Sequence, residues 1–346
     1  MRDHAVAADA SDATSLHEVV AGMMPGERAK GALRVGTMAS GQPIELPWLA
    51  LKGGRPGPCL WLNGAVHGDE INGVLASLDF FRGLDPAAVS GCVVVSPVSN
   101  PLGFDARRKR VPQDEQDLDQ SFPGRQDGLT SELLAWRLFR EIRGFATVLI
   151  NFHTMNPYFG SDPYVVYKVS SDAASEATIL SAAAAFEPFV ACRMPVQGGA
   201  ELPGNVAGAL DYQASSAGAM AFMVELGGGS RQEPAFIEQG VRGLQRLSQA
   251  IGLLPSRPEP ERKVIRVSAR RHVMCRNGGL FRQHERAGRI LEPGTVVGTI
   301  ENVWGETIED VSFPYAVALI GVRNDPVVHS GDRVAFVGTR WDEVFV

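Results

Sequence analysis

His67 and Glu70 stand three residues apart in Gly64-Ala65-Val66-His67-Gly68-Asp69-Glu70, and His153 closes the apolar run Ala146 to Phe152. Two imidazoles and one carboxylate are a ligand set for catalytic Zn²⁺, which takes three protein ligands and keeps a fourth position for water. Residues at i and i+3 share a face on a helical turn, so a first turn can present His67 and Glu70 together. Each signal has a plainer alternative. An H-x-x-E pair is commonly a surface pair, and a His at a strand end is commonly held by structural hydrogen bonds. The metal reading gains from both lying at the carboxyl ends of strand-like segments.

The elements that must position them can be read outward from the motif. Cys59 to Leu62 is an apolar run of the kind found in a buried strand, and Asn63-Gly64 breaks it. Ile71, Val74, Leu75, Leu78 and Phe81 then follow at helical spacing. A strand therefore hands over to a helix at the histidine. His153 is distant in sequence, so only the fold can bring it near. A parallel sheet does so, because its strands end on one side, where α/β proteins bind ligands.

The motif resembles the G-x-H-G-[DN]-E zinc signature of the succinylglutamate desuccinylase/aspartoacylase family, relatives of the zinc carboxypeptidases. Asn100-Pro101 resembles that family's N-P segment. Asp117-Leu118-Asp119-Gln120-Ser121-Phe122-Pro123-Gly124 resembles its D-L-N-R-x-F-P-G segment with two changes, and Phe222-Met223-Val224-Glu225-Leu226-Gly227 resembles the strand ending in its catalytic Glu. The resemblance covers roughly residues 30 to 340. It implies one Zn²⁺ held by His67, Glu70 and His153, with Glu225 as general base in hydrolysis of an amide. The oxyanion cation would be an arginine near the N-P segment. Arg107, Arg108 and Arg110 crowd that stretch, Arg108 and Arg110 fit the spacing, and spacing does not choose between them.

The departure at Asp119-Gln120 bears on the substrate. The family's Asn-Arg grips a substrate carboxylate, and Arg does this with a charged two-pronged fork that Gln lacks. Either another arginine replaces it, Arg125 and Arg231 being candidates, or the substrate's amine side is neutral or cationic there. Asn100, Asp119, Gln120 and Arg125 are accordingly the expected substrate-binding residues. The leading expectation is a zinc deacylase acting on a small N-acyl amino compound. The alternatives are a carboxypeptidase, which the missing arginine argues against, and an inactive ligand-binding relative.

Composition narrows the setting. Net charge is −6, so no basic surface calls for nucleic acid or an anionic membrane. No apolar run approaches the roughly 20 residues of a membrane span. Met1 to Ser15 lacks an apolar signal-peptide core, and Cys59, Cys92, Cys192 and Cys275 are scattered, which points to a reducing, cytoplasmic setting without disulfides. Homo-oligomerisation is left open.

Strand-like and helix-like segments alternate to about residue 253, predicting an α/β fold, a mainly parallel mixed sheet with helices on both faces; the resemblance implies that it is zinc carboxypeptidase-like. Residues 1–30 read as an N-terminal arm or short leading helix, 31–253 as the hydrolase domain, and the Pro-rich stretch 254–261 as a linker. Short strands and Gly turns over 262–346 predict a small all-β barrel or sandwich, and the resemblance, with a linker long enough to fold back, implies that it packs beside the zinc cleft.

Overall fold

The computed structural model describes residues 15–169, 173–196, 205–257 and 260–346. Most of the expected N-terminal arm and Pro258-Glu259 of the expected linker lie outside the described residues.

Before residue 254 the strands are β1 (Arg28–Thr37), β2 (Pro43–Lys52), β3 (Arg55–Asn63), β4 (Ser90–Ser96), β5 (Val148–Met155), β6 (Phe159–Ser161), β7 (Tyr164–Val169), β8 (Ala191–Pro195) and β9 (Met220–Gly228). Beyond it come β10 (Lys263–Met274), β11 (Gly279–Gln283), β12 (Arg289–Leu291), β13 (Val296–Glu301), β14 (Thr307–Ser312), β15 (Val317–Arg323), β16 (Val327–Val328) and β17 (Arg333–Phe345). The main sheet runs β1-β2-β4-β3-β5-β9-β7-β8-β10-β17-β15-β12, with β6 paired to β15. Its centre, β4-β3-β5-β9, is parallel, as are the β7-β8 and β8-β10 pairs, while β1-β2-β4, β9-β7 and β10-β17-β15-β12 pair antiparallel. Every residue of β5 is buried, which suits a central strand covered on both faces.

The helices are α1 (Leu16–Gly22), α2 (Asn72–Gly83), α3 (Pro101–Asp105), α4 (Thr130–Ile142), α5 (Ala173–Ala184), α6 (Leu210–Ser216) and α7 (Pro234–Ala250). One apolar core packs α2, α5 and α7 against one face of the sheet. A second packs α1, α4 and α6 against the other. Within the described part of the leading segment the short helix is present: Ser15 and Glu18 form a reciprocal capping box, and Leu16 and Val20 are buried. No helix among the described residues is long and apolar enough to cross a membrane.

Four C-terminal strands, β14-β13-β11-β16, form a second small sheet around Phe281, Ile300 and Val311. The other C-terminal strands are not set apart. β10 hydrogen-bonds β8 in parallel register, Arg266 with Ala191 and Val267 with Cys192. A shared apolar cluster joins Tyr164, Val166 and Met194 to Val267, Ile320 and Phe336. The Pro-rich stretch thus separates two textures of sequence that the β8–β10 pairing joins in one sheet; such pairing is non-local and leaves no mark on the linker.

Candidate active site

His67 and Glu70 lie in the loop between β3 and α2, ahead of the helix rather than on its first turn. Glu70 N donates to His67 O at 3.1 Å, so a tight turn brings the pair together. The loop is fixed by close backbone approach. A Cβ at Gly68 would sit 2.0 Å from the Gly103 carbonyl carbon, so only glycine fits beneath α3. Asn72, at the start of α2, donates to Leu226 O at 2.8 Å and ties the loop to the strand that carries Glu225.

Glu70 is the hinge of the constellation. Its Oε1 lies 2.8 Å from His67 Nδ1 and its Oε2 lies 3.0 Å from His153 Nδ1. Thr154 N also donates to Oε2 at 3.0 Å. One donor atom from each of the three residues can be chosen so that all lie within 4.8 Å of one another, and all three residues are buried. The far nitrogens are occupied: His67 Nε2 is 2.9 Å from Asp117 Oδ1, and His153 Nε2 is 2.9 Å from Asn151 Nδ2 and 3.7 Å from Asp119 Oδ2. Metal-bound histidines are oriented by such partners on the ring nitrogen that does not face the ion.

The electrostatics suit a cation. Burial disfavours protonation of His67, yet the charges of Glu70 and Asp117 push it up to about 10. Burial alone would raise Glu70, but His67 and His153 hold it well below the usual carboxylate range. A buried cluster that favours positive charge this strongly fits a divalent ion, and two imidazoles with one carboxylate fit zinc.

Glu225 and His153 are directly paired across β9 and β5. Glu225 is half-buried, its Oε2 is shielded from solvent with no hydrogen-bond partner among the described residues, and desolvation with the nearby charge of Glu70 raises its pKa. A carboxyl group whose pKa is raised holds a proton more readily, which suits proton exchange with a reacting group. The three ligands and Glu225 line one cavity of about 400 Å³. Its remaining wall includes Tyr164 and Lys168 on β7, and Arg270, His272, Arg333 and Phe336 on β10 and β17. The C-terminal strands therefore line the site, as the resemblance to the family implies.

The other expected residues are distributed unevenly. Arg110 lines the cavity, with Nη1 on Glu115 O at 2.6 Å. Arg108 is not brought to it and instead pairs with Glu115 at 2.9 Å. The cation that reaches the centre is Lys109, between them. Its Nζ is 3.4 Å from Asp117 Oδ2, and although burial opposes its charge, Asp117, Glu70 and Glu225 raise its pKa. A search restricted to arginine passes over it. Asn100 is wholly buried and structural in its contacts, capping α3 through Gly103 N at 2.8 Å and reaching Val66 O at 3.4 Å. Asp119 and Gln120 both line the cavity. Asp119 Oδ1 accepts from Asn151 Nδ2 at 3.0 Å and Leu210 N at 3.2 Å, so it does not turn toward Arg108. Gln120 Oε1 accepts from Asn205 N at 3.0 Å. Arg125 lies outside the cavity on Glu132, and Arg231 donates to the carbonyls of Pro157 and Phe159; neither replaces the missing fork at Gln120.

Comparison with known proteins gives this geometry a family. The succinylglutamate desuccinylase/aspartoacylase catalytic domain matches residues 56–251. A curated relative, the N-alpha-acetyl-L-2,4-diaminobutyric acid deacetylase of Halomonas elongata, is 25% identical over 300 residues, covering 85% of each chain. Among solved structures, the product-bound ectoine utilization protein EutE (DoeB) from Ruegeria pomeroyi superposes with a TM-score of 0.79 at 22% identity, covering 92% of this chain and 98% of that one. The succinylglutamate desuccinylase/aspartoacylase from Rhodobacter sphaeroides gives 0.78 at 24% identity, covering 93% and 98%. With the catalytic-domain match spanning more than half of its length, the chain belongs to the succinylglutamate desuccinylase/aspartoacylase family of deacylases.

Proposed function

We propose that this protein is a zinc-dependent amidohydrolase that removes the acyl group from a small N-acyl amino compound, with one Zn²⁺ per chain. The observation that carries the reading is the convergence of buried His67, Glu70 and His153 beside an unpartnered, desolvated Glu225 oxygen in one cavity. Zinc, when bound there, supplies a Lewis acid and lowers the pKa of water. The remaining work belongs to side chains. Glu225 accepts the proton of the attacking water and passes it to the leaving nitrogen. Lys109 presents positive charge toward the oxyanion that develops on the scissile carbonyl, a role supported by its sharing one cavity lining with Glu70 and Glu225. Asp117 and Asp119 hold the imidazoles in place.

The activity named for the Halomonas elongata relative supports an acyl amino acid that carries a second amine. Replacement of the family's Asn-Arg by Asp119-Gln120 supports the same class, because it makes this part of the pocket more negative. The cavity size favours a small molecule over a peptide. Four buried cysteines, none in a disulfide, support a cytoplasmic setting.

The deciding experiment is a screen of N-acetyl, N-succinyl and N-formyl amino compounds, N-acetylated diamino acids among them, against zinc-loaded protein. Release of the free amine from one class is the expected result. Stoichiometric zinc with no amide hydrolysis across the panel would sink the proposal.

A further inference from the structure

We infer that Lys168, paired with Asp211, closes the deep end of the cavity and reads a neutral oxygen acceptor on an arm of the substrate, about five bonds from the scissile carbonyl carbon. This rests on the deacylase reading above and adds a feature of the substrate: an arm, on the acyl or the amine side, that is apolar along its length and ends in a hydroxyl or carbonyl.

The sheet register places the pair. On β9, Met223 and Glu225 line the cavity, and on β7, Tyr164, Val166 and Lys168 do. Residues two apart on a strand share a face and lie roughly 6.7 Å from one another. Tyr164 stands opposite Glu225 and Val166 opposite Met223, while Lys168 stands opposite Met194 on β8. The cavity floor is therefore built in rows: the catalytic row, then Met223 with Val166, then Lys168 with Met194. Lys168 leans back toward the second row, since its Nζ lies 3.2 Å from Met223 Sδ. Its charge thus stands about one row, roughly 6.7 Å, below the row of the general base. An extended chain of ordinary bond lengths and angles covers that distance in about five bonds.

The ammonium at this position is buried and has a proton to offer. Lys168 is 5% exposed, and Asp211, behind it on α6, is 1% exposed. Two of the three ammonium protons go to the two oxygens of Asp211, at 2.6 and 2.8 Å. The third meets the thioether of Met223, a weak acceptor. An oxygen arriving between Met223 and Lys168 is a stronger partner for it. Replacing a buried ion pair by apolar residues of similar volume is often neutral or stabilising, so fold stability does not account for a charged pair set among Val166, Met194 and Met223. The charge balance selects a neutral group. Asp211 cancels Lys168, and Asp119, on the same cavity wall, interacts with both. A carboxylate arriving there would meet two acidic side chains and a cation that is already matched. A hydroxyl or carbonyl oxygen takes the third proton without adding charge.

The test compares kcat/KM on zinc-loaded protein within two matched series. The acyl series is the ω-hydroxypentanoyl, hexanoyl and glutaryl amides of L-alanine. The amine series is the N-acetyl derivatives of ω-aminopropanol, butylamine and β-alanine. Each series places a hydroxyl, a methyl or a carboxylate about five bonds from the scissile carbonyl carbon. In at least one series the hydroxyl compound should lead both others by roughly tenfold to a hundredfold, the range for a hydrogen bond to a charged group. The series that shows it identifies the arm. Lys168→Met combined with Asp211→Leu should turn the preference toward the methyl compound. A wild type without hydroxyl preference in either series overturns the inference, as does a folded double variant that keeps it. If the double variant does not fold, Lys168→Gln decides: its shorter amide stays with Asp211, and an undiminished hydroxyl preference overturns the inference. If no compound is hydrolysed, the deacylase reading fails, and calorimetric titration of the same compounds into the same protein decides this inference by the same ratios.

Discussion

Tyr164 on β7 and Glu225 on β9 are directly opposite one another in antiparallel register, while the other neighbour of Glu225, across β5, is His153. The general base is thus flanked by a metal ligand on one side and a phenol on the other. Burial raises the Tyr164 pKa well above its usual value, and Glu225 raises it further, so the phenol stays protonated. Glu225→Gln should keep zinc while lowering kcat by about 10²–10⁴, the usual contribution of a general acid–base group. Steady-state kinetics with a metal assay checks this. A variant keeping more than about a tenth of wild-type kcat would move the role elsewhere.

The zinc prediction is stoichiometric. Wild-type protein should hold one Zn²⁺ per chain at distances of about 2.0–2.2 Å from His67, Glu70 and His153. His153→Ala should abolish tight binding. Elemental analysis after dialysis, followed by a zinc-bound crystal structure, tests both statements. Zinc retained by His153→Ala at full occupancy would show that the ligand set is different.

Lys109 and Arg108 are neighbours with opposite expectations. Lys109→Met should lower kcat about 10²–10³-fold, as loss of one oxyanion donor does. Arg108→Met removes an exposed pair with Glu115, of a kind worth little, and should leave kcat within about twofold. The two variants assayed side by side decide the assignment; equal losses would return the role to the arginines.

His272 gives a pH prediction whose sign can be worked out. Burial, Arg333 and Arg270 push its pKa down to about 4, below the ordinary value near 6.5. Between those values the unfolded chain binds a proton that the folded chain does not, so this group makes stability fall as pH drops from about 6.5 toward 4. Its contribution to pH dependence vanishes above that window. The imidazole NMR signal should stay that of a neutral ring from pH 8 down to about 5. In Arg270→Met the midpoint should move upward, because one of the two depressing charges is gone. A wild-type midpoint near 6.5 would contradict this account of the wall.

How much of this was legible beforehand follows from the range of each signal. His67, Glu70, His153 and Glu225 could be found because each ends an apolar run, and runs are local. The helices could be placed from their periodicity for the same reason. Lys109 could not, since its position depends on how the backbone of α3 crosses Gly68, a contact between residues far apart in sequence. Asn100 has the right sequence position but its amide is consumed in capping α3. Arg125 looked available in sequence and is taken by Glu132. Arg270 and His272 were hidden by the Pro-rich stretch, which suggested a separate unit, whereas the parallel pairing of β8 with β10 places them in the cavity wall.

That pairing also determines what happens if the chain is cut. A nick within 254–257 would leave the strands bonded, so the two fragments should co-migrate under native conditions and separate only in denaturant. Ending the chain there is a different matter. It would strip β10 from β8 and leave an open row of backbone donors and acceptors, a template for pairing with other chains. The catalytic-domain segment expressed by itself should therefore aggregate, and co-expression with residues 260–346 should rescue it.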